Sequence, residues 1–280
     1  MKDQGPTKPL VYFLGISLLE RTMRTLARAG ITRAVVVAGH KARTVRCGAE
    51  RFATEVGLEL QVVEAEDWRR GNGASALAAR DAMGERFLMV MCDHLFEPEI
   101  LQRLASHRPP ANGVLLAIDR RRDNPLVDHD DVTRVCIQNG HITAIGKGLS
   151  PFDAYDTGAF HCTRGLFDAL TRADGTVSDA IQRLANEGRA RIWNIGDGFW
   201  IDLDDAAAMR RAEAAMLRQA AGKAHDGPVA RWLNRPVSRW LSRYAMRYGL
   251  TPMQLSWMAF ALSLLAASLI ALPFAWSIAV

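Results

Sequence analysis

"RFLMVMCD", residues 86–93, decides the fold. Phe87 to Met91 form an unbroken apolar run that an aspartate closes two residues later. A short continuous run of this kind, with no polar face, reads as a strand buried on both sides of a sheet. Similar runs occur at "AVVVAG" (34–39), "LELQVVEA" (58–65) and "GVLLAID" (113–119). Helical patterns lie between them at 41–56, 73–84 and 97–107. Ahead of them, "GISLLERTMRTLARA" (15–29) places Leu18, Leu19, Met23 and Leu26 at helical spacing and stops at Gly30. Strands alternating with helices predict a parallel α/β sheet covered on both faces.

The rhythm changes after Asp119. "VTRVCIQNGHITAIGK" (132–147) sets Asn139-Gly140 between two alternating runs, a strong hairpin signal. "TGAFHC" (157–162) and "RIWNIG" (191–196) add strands, "TVSD" (176–179) reads as a capping box opening a helix to about Asn186, and "DDAAAMRRAEAAMLRQAA" (204–221) reads as a long closing helix.

Charge is informative by region. Six of the 35 Lys and Arg and one of the 30 Asp and Glu follow residue 222. The first 222 residues are therefore neutral, and the net +5 lies in the tail. A neutral body without a basic, aromatic binding face argues against nucleic acid. Cys47, Cys92, Cys136 and Cys162 sit singly, which reads as reduced thiols in a cytosolic fold. No signal peptide is evident, so the body is expected on the cytoplasmic side of a membrane.

The tail (223–280) reads as a membrane tether. Arg231, Arg235, Arg239, Arg243 and Arg247 recur every four residues, with Trp232, Leu233, Val237, Trp240, Leu241, Tyr244 and Tyr248 opposite them. This is the pattern of a basic amphipathic helix over 223–252, broken near Pro236 and capped by Gly249. No charged residue follows Leu255, and the 20 residues from Met253 to Leu272 suit a transmembrane helix, with Trp257 and Trp276 at the two interfaces. The alternative is a buried core helix. Residues 229–280 are thus expected against membrane lipid, with the arginines on the cytoplasmic side.

Within the body, Asp93 follows the quoted strand, and "FWIDLDD" (199–205) ends another apolar run with Asp202 and Asp204. Ligands of open α/β sheets collect at the carboxyl ends of strands. Two carboxylates converging there suit a hard divalent ion that bridges phosphates; the bland alternative for each is a helix cap. "RRGNGAS" (69–75) is a glycine-rich turn whose amides, with Asn72 and Ser75, suit a ligand or simply a turn. Lys8 alone reads as surface. His94 either touches substrate or packs at a strand end, Asp204 either shares the metal or caps the last helix, and His40 and His161 read as structural.

The order of these features is more specific than any one of them. Lys8-Pro9, Leu18-Leu19-Glu20-Arg21, Gly71-Asn72-Gly73, Cys92-Asp93-His94, Asp156-Thr157-Gly158 and Trp200-x-Asp202 together resemble the nucleotidyltransferases that activate sugars and phospho-alcohols. The resemblance is strongest to the cytidylyltransferase half of bifunctional enzymes that make CDP-inositol and continue into a CDP-alcohol phosphatidyltransferase-type membrane domain. It covers essentially the whole chain, with 223–257 resembling the joining helix and first span. It implies a GT-A, Rossmann-like three-layer domain over 1–222 with a mostly parallel mixed sheet. It also implies CMP transfer from CTP to a phosphorylated polyol such as inositol 1-phosphate, with release of pyrophosphate. Asp93 and Asp202 would hold Mg²⁺, and Lys8 would neutralise the nucleotide phosphates. Gly71, Asn72, Gly73 and Ser75 would meet base and ribose, and Lys147 and Asp156 the acceptor.

Two departures from the family accompany this reading. The family's first strand and its G-x-G-T-R loop should precede "GPTKPL" (5–10), so the domain is expected to be N-terminally incomplete. The membrane domain's D-x2-D-G-x2-A-R-x8-G-x3-D-x3-D signature is not met by "DGPVAR" (226–231): Lys223 replaces its first Asp and Trp240 its Gly. A truncated membrane domain without phosphatidyltransferase activity is therefore expected at 253–280. The rivals are a sugar-phosphate nucleotidyltransferase using another NTP and a catalytically inactive, membrane-anchored module. The acceptor and the oligomeric state stay open.

Overall fold

The computed structural model describes residues 7–173, 175–221, 240, 241, 243–245 and 247–271. The chain divides into two units, one carrying the body through Ala214 and the other the tail from Ala215 together with Leu14–Ile16.

In the body, a 3-10 turn at Lys8–Leu10 and the two-residue strands β1 (Tyr12–Phe13) and β2 (Ile16–Ser17) precede helix α1 (Leu18–Arg28). The Ser17 hydroxyl caps α1 by accepting from the Glu20 N–H. The alternation follows as expected, with one unexpected short strand: β3 (Arg33–Ala38), α2 (Ala42–Val56), β4 (Glu59–Glu64), α3 (Asn72–Ala78), β5 (Arg86–Val90), the unexpected β6 (His94–Phe96), α4 (Pro98–Ser106) and β7 (Val114–Asp119). The hairpin is β8 (Thr133–Gln138) and β9 (His141–Lys147), with Asn139 and Gly140 both at positive φ, as a tight two-residue turn requires. Then come β10 (Ala154–Thr163), α5 (Gly165–Ala173), α6 (Val177–Asn186), β11 (Ala190–Asn194), β12 (Trp200–Asp202) and α7 (Ala206–Ala221). The capping box is present: Thr176 and Asp179 bond reciprocally at the start of α6.

Strand β7 is buried along its whole length and divides the core. Val114, Leu116 and Ile118 pack with Leu166 and Phe167 of α5 and Ile181 and Leu184 of α6. Leu115 and Ala117 pack on the other side with Ile100, Leu101 and Leu104 of α4. Alternate residues of one strand thus serve two helical layers, which is the three-layer architecture. A third cluster joins Leu19 and Met23 of α1 and Val45 and Phe52 of α2 to Ala34 and Ala38 of β3.

The sheet departs from the mostly parallel expectation. Its six-stranded part runs β5-β10-β7-β11-β9-β8, and only β7–β11 in it is parallel. The ten-residue β10 lies between β5 and β7 and runs antiparallel to both, and the hairpin adds another antiparallel ladder. Strand order, rather than the apolar character of each run, sets direction, so parallel-looking runs pair through an antiparallel insert. Strands β3 and β4 form a separate parallel pair. Among the described residues β3 pairs only with β4, and β5 only with β10.

In the tail, residues 240, 241, 243–245 and 247 are helical, and Gly249 ends the turn at φ +63°. Most of the expected amphipathic helix, including Arg231, Arg235 and Arg239, lies outside the described residues. Helix α8 (Pro252–Ala271) follows, its first turn fixed by reciprocal bonds between Thr251 and Gln254. Its large apolar side chains, Met253, Trp257, Phe260 and Leu262 among them, are exposed. The expected transmembrane helix is not found: among the described residues no helix is long and apolar enough to cross a membrane. Leu272 to Val280, the rest of the expected segment, lie outside the described residues.

One close approach inside the body carries a test. A Cβ on Gly73 would sit 1.9 Å from the carbonyl oxygen of Gly175, at the approach to α6. Gly73→Ala is expected to cost about 1–3 kcal/mol by overpacking against backbone, read as a lowered urea midpoint with an unchanged slope.

Candidate active site

The antiparallel pairing of β6 and β12 builds the site. Its register sets Asp202 opposite His94, and the Leu203 N–H donates to the Asp93 carbonyl at 3.0 Å. Asp93, in the turn between β5 and β6, and Asp202, at the end of β12, therefore meet although they lie far apart in the sequence. Carboxylate oxygens of both and a ring nitrogen of His94 lie within 4.8 Å of one another. Asp202 Oδ1 is buried with no hydrogen-bond partner. A buried carboxylate oxygen left open beside a second carboxylate fits a divalent cation.

Cations of the chain itself offset part of this negative charge. Lys8 Nζ lies 2.7 Å from Asp93 Oδ2 and also pairs with Asp204. Burial works against charge on Lys8, but its bonds to Asp204 and Asp93 outweigh that and push its pKa up. Burial likewise opposes charge on Asp204, yet the bond from Lys8 holds it below the usual carboxylate range. Burial raises Asp202, against the pull of His94. His94 Nδ1 donates to the Thr157 carbonyl at 2.7 Å, leaving Nε2 to face Asp202 Oδ2 at 3.3 Å. Burial disfavours the imidazolium, but Asp202 and Asp93 prevail and raise His94 to about 9. Burial pushes the neighbouring Cys92 thiol up to about 12, so it offers no thiolate nucleophile at neutral pH.

The floor under His94 is Gly158. Its φ is +78°, and a Cβ there would lie 2.5 Å from His94 Nδ1. The Asp156 carboxylate accepts from the Gly158 N–H at 2.8 Å and so shapes this turn. Lys147 stands elsewhere, exposed at the end of β9 and paired with Asp131 at 2.5 Å. In the glycine-rich turn, Gly71 has φ +113°, Asn72 Oδ1 accepts from the Val177 N–H at 3.0 Å, and the Ser75 hydroxyl donates to the Gly71 carbonyl at 3.2 Å. Gly73 packs on Gly175. The Asn72 bond and the Gly73 contact fasten α3 to the start of α6.

Sequence reasoning passed over Asp119, which ends "VLLAI" as Asp93 ends "FLMVM". It is fully buried. Its Oδ1 accepts from Arg121 N and Nε, each at 2.9 Å; its Oδ2 accepts from Arg121 Nη2 at 3.0 Å, Asn124 Nδ2 at 2.8 Å and Trp200 Nε1 at 2.8 Å. Burial favours the neutral acid, but the bonds from Arg121 and Trp200 prevail and hold Asp119 below the usual range.

Asp156 gives a pH test. Burial pushes it up to about 6, above its ordinary 3.8. The folded state thus holds that proton more tightly than the unfolded state, so the associated stability is full below pH 4 and lost as pH rises to 6. The loss is on the order of 3 kcal/mol, at about 1.4 kcal/mol per unit. Asp156→Asn is expected to gain stability over wild type at pH 8 relative to pH 4, measured by denaturant unfolding at both.

Residues 1–150 match the family model of the MobA-like NTP transferase domain. The chain is 37% identical to the bifunctional IPC transferase and DIPP synthase of Rubrobacter xylanophilus, over 97% of this chain and 61% of that protein. To the protein of that name in Archaeoglobus fulgidus it is 26% identical, over 82% of this chain and 44% of that protein. The chain thus spans less than two thirds of the length of each of these relatives. Among solved structures, the inositol-1-phosphate CTP transferase from T. maritima superposes with a TM-score of 0.66 at 24% identity, over 73% of this chain and 83% of that one. A UDP-glucose pyrophosphorylase superposes with a TM-score of 0.61 at 14% identity, over 76% of this chain and 91% of that one. These structural likenesses bear on the fold. With more than half its length matched by the family model, the chain belongs to the MobA-like NTP transferases and is a nucleotidyltransferase.

Proposed function

We propose that this chain transfers CMP from CTP to the phosphate of a phosphorylated polyol of the inositol 1-phosphate kind. The observation that carries the reading is the Asp93–His94–Asp202 cluster with its unpartnered Asp202 oxygen. The similarity to IPC transferases and to an inositol-1-phosphate CTP transferase supports the choice of substrates. A phosphate oxygen of the acceptor attacks the α-phosphorus of CTP, a new P–O bond forms, the α–β P–O bond breaks, and pyrophosphate leaves. Positioning and charge neutralisation drive such a transfer. Asp93 and Asp202 would hold Mg²⁺, whose charge offsets that of the nucleotide phosphates. Lys8, now held between Asp93 and Asp204, adds positive charge beside them. Gly71, Asn72, Gly73 and Ser75 would meet base and ribose, and Lys147 and Asp156 the acceptor.

The tail is proposed to hold the enzyme on the cytoplasmic face of a membrane. The exposed apolar side chains of α8 and the arginines preceding it support association with anionic lipid.

Pyrophosphate release with inositol 1-phosphate is expected with CTP and not with ATP, GTP or UTP; preference for another NTP with a sugar phosphate overturns the substrate assignment. Asp93→Asn and Asp202→Asn are each expected to lower turnover about 10²–10³-fold or more with unchanged circular dichroism; retained turnover in both removes the metal assignment. The full chain should float with anionic vesicles while a chain ending at residue 222 stays in solution; flotation of both would overturn the tether.

A further inference from the structure

Strand β12 has three residues, and among the described residues its only backbone ladder is with β6. What holds it from the other side is a set of side-chain bonds centred on Asp119. Trp200 Nε1 donates to Asp119 Oδ2 at 2.8 Å, and Arg121 Nη2 donates both to that carboxylate and, at 2.8 Å, to the Gly198 carbonyl just ahead of β12. Trp200 is 1% exposed and Asp119 is 0% exposed. Burying an ion pair costs desolvation, and an apolar replacement is often at least as stable, so stability alone does not call for a charge here. The bonds do fix direction. In a strand Trp200 and Asp202 point to the same side, two residues apart. The indole bond to Asp119 therefore sets the rotation and height of β12, and with it the place of the Asp202 carboxylate beside His94 and Asp93. We propose that Asp119 and Trp200 are positioning residues for Asp202, holding its carboxylate where a divalent cation takes it as a ligand. The inference rests on the metal reading given above and adds to it the residues that set its geometry.

Arg121 and Asn124 share Asp119 with Trp200, so the segment after β7 is fastened to the same carboxylate as β12. Tyr155 holds that segment at a second point, its hydroxyl donating to the Arg122 carbonyl at 2.8 Å. A shift of Asp119 thus reaches Asp202 through one hydrogen bond and the 120–124 segment through others.

The test is Mn²⁺ binding to the full chain without substrates, followed by electron paramagnetic resonance. Trp200→Phe keeps the ring in the core, removes the N–H, and leaves Asp119 its Arg121 and Asn124 donors. It is expected to raise the Mn²⁺ dissociation constant about 10-fold, within the range for residues that orient metal ligands. In turnover it is expected to lower kcat while leaving KM for the polyol phosphate unchanged. Asp202→Asn serves as the reference and is expected to weaken Mn²⁺ more than Trp200→Phe does. An unchanged dissociation constant in Trp200→Phe, with weakened binding in Asp202→Asn, overturns the positioning role and leaves the metal reading standing. Binding that Asp202→Asn does not weaken, or no binding by the wild type, overturns the metal reading and this inference with it. Should Trp200→Phe not fold, the titration is read on Asp119→Leu, which removes both oxygens that hold Trp200 and Arg121, and a dissociation constant equal to the wild type's overturns the inference.

Discussion

The short ladder between β6 and β12 is the contact on which the site depends. It joins residues 94–96 to residues 200–202 and so closes a loop of about a hundred residues. Closure of that length costs entropy that three paired residues cannot offset by themselves. The offset comes from the core between them, chiefly β7, which is buried on both sides and carries helical layers against each. The acidic cluster is thus a surface expression of core packing: Asp93 and Asp202 meet because the strands beneath them are fixed.

Packing carboxylates together at a strand end is unfavourable without compensation. The chain supplies two cations from different elements. Lys8 reaches Asp93 and Asp204 from the N-terminal turn, and His94 reaches Asp202 from within β6. Neither uses the remaining oxygen of Asp202. The arrangement is partly neutralised and partly open. Asp119, a strand away, is the contrasting case: both its oxygens are saturated and it has no access to solvent.

Much of this was legible in the residues. Apolar runs marked the strands, Asn139-Gly140 marked the hairpin, Thr176-to-Asp179 marked a helix start, and aspartates at strand ends marked the site. These signals are local, and local chemistry determines them. Strand direction was not legible, because β10 reaches its place between β5 and β7 only through long-range pairing, and nothing in "TGAFHC" specifies its neighbours. Asp119 was passed over for a related reason: at the end of an apolar run it has the same local signature as Asp93, and only the fold distinguishes a saturated buried carboxylate from an open one. The glycine-rich turn shows the converse. Asn72, Gly73 and Ser75 stood out as ligand contacts, and each also has a neighbour within the protein that explains its presence. The tail combines length and apolarity in sequence, but Leu272 to Val280 lie outside the described residues, and within those described no helix is long and apolar enough to cross a membrane.

Among the described residues, β5 has a partner on one side only, and so does β3. A strand with one partner presents a row of amide and carbonyl groups on its other side, open to recruiting a further strand. Strand β4 carries Glu59, Gln61 and Glu64, charges and amides that discourage stacking of copies, whereas β5 and β3 have Arg86 and Arg33 at their starts and then only apolar residues. Self-association into aggregates would therefore nucleate at β5 or β3 rather than β4, and solubility of this protein hangs on what shields those two apolar edges.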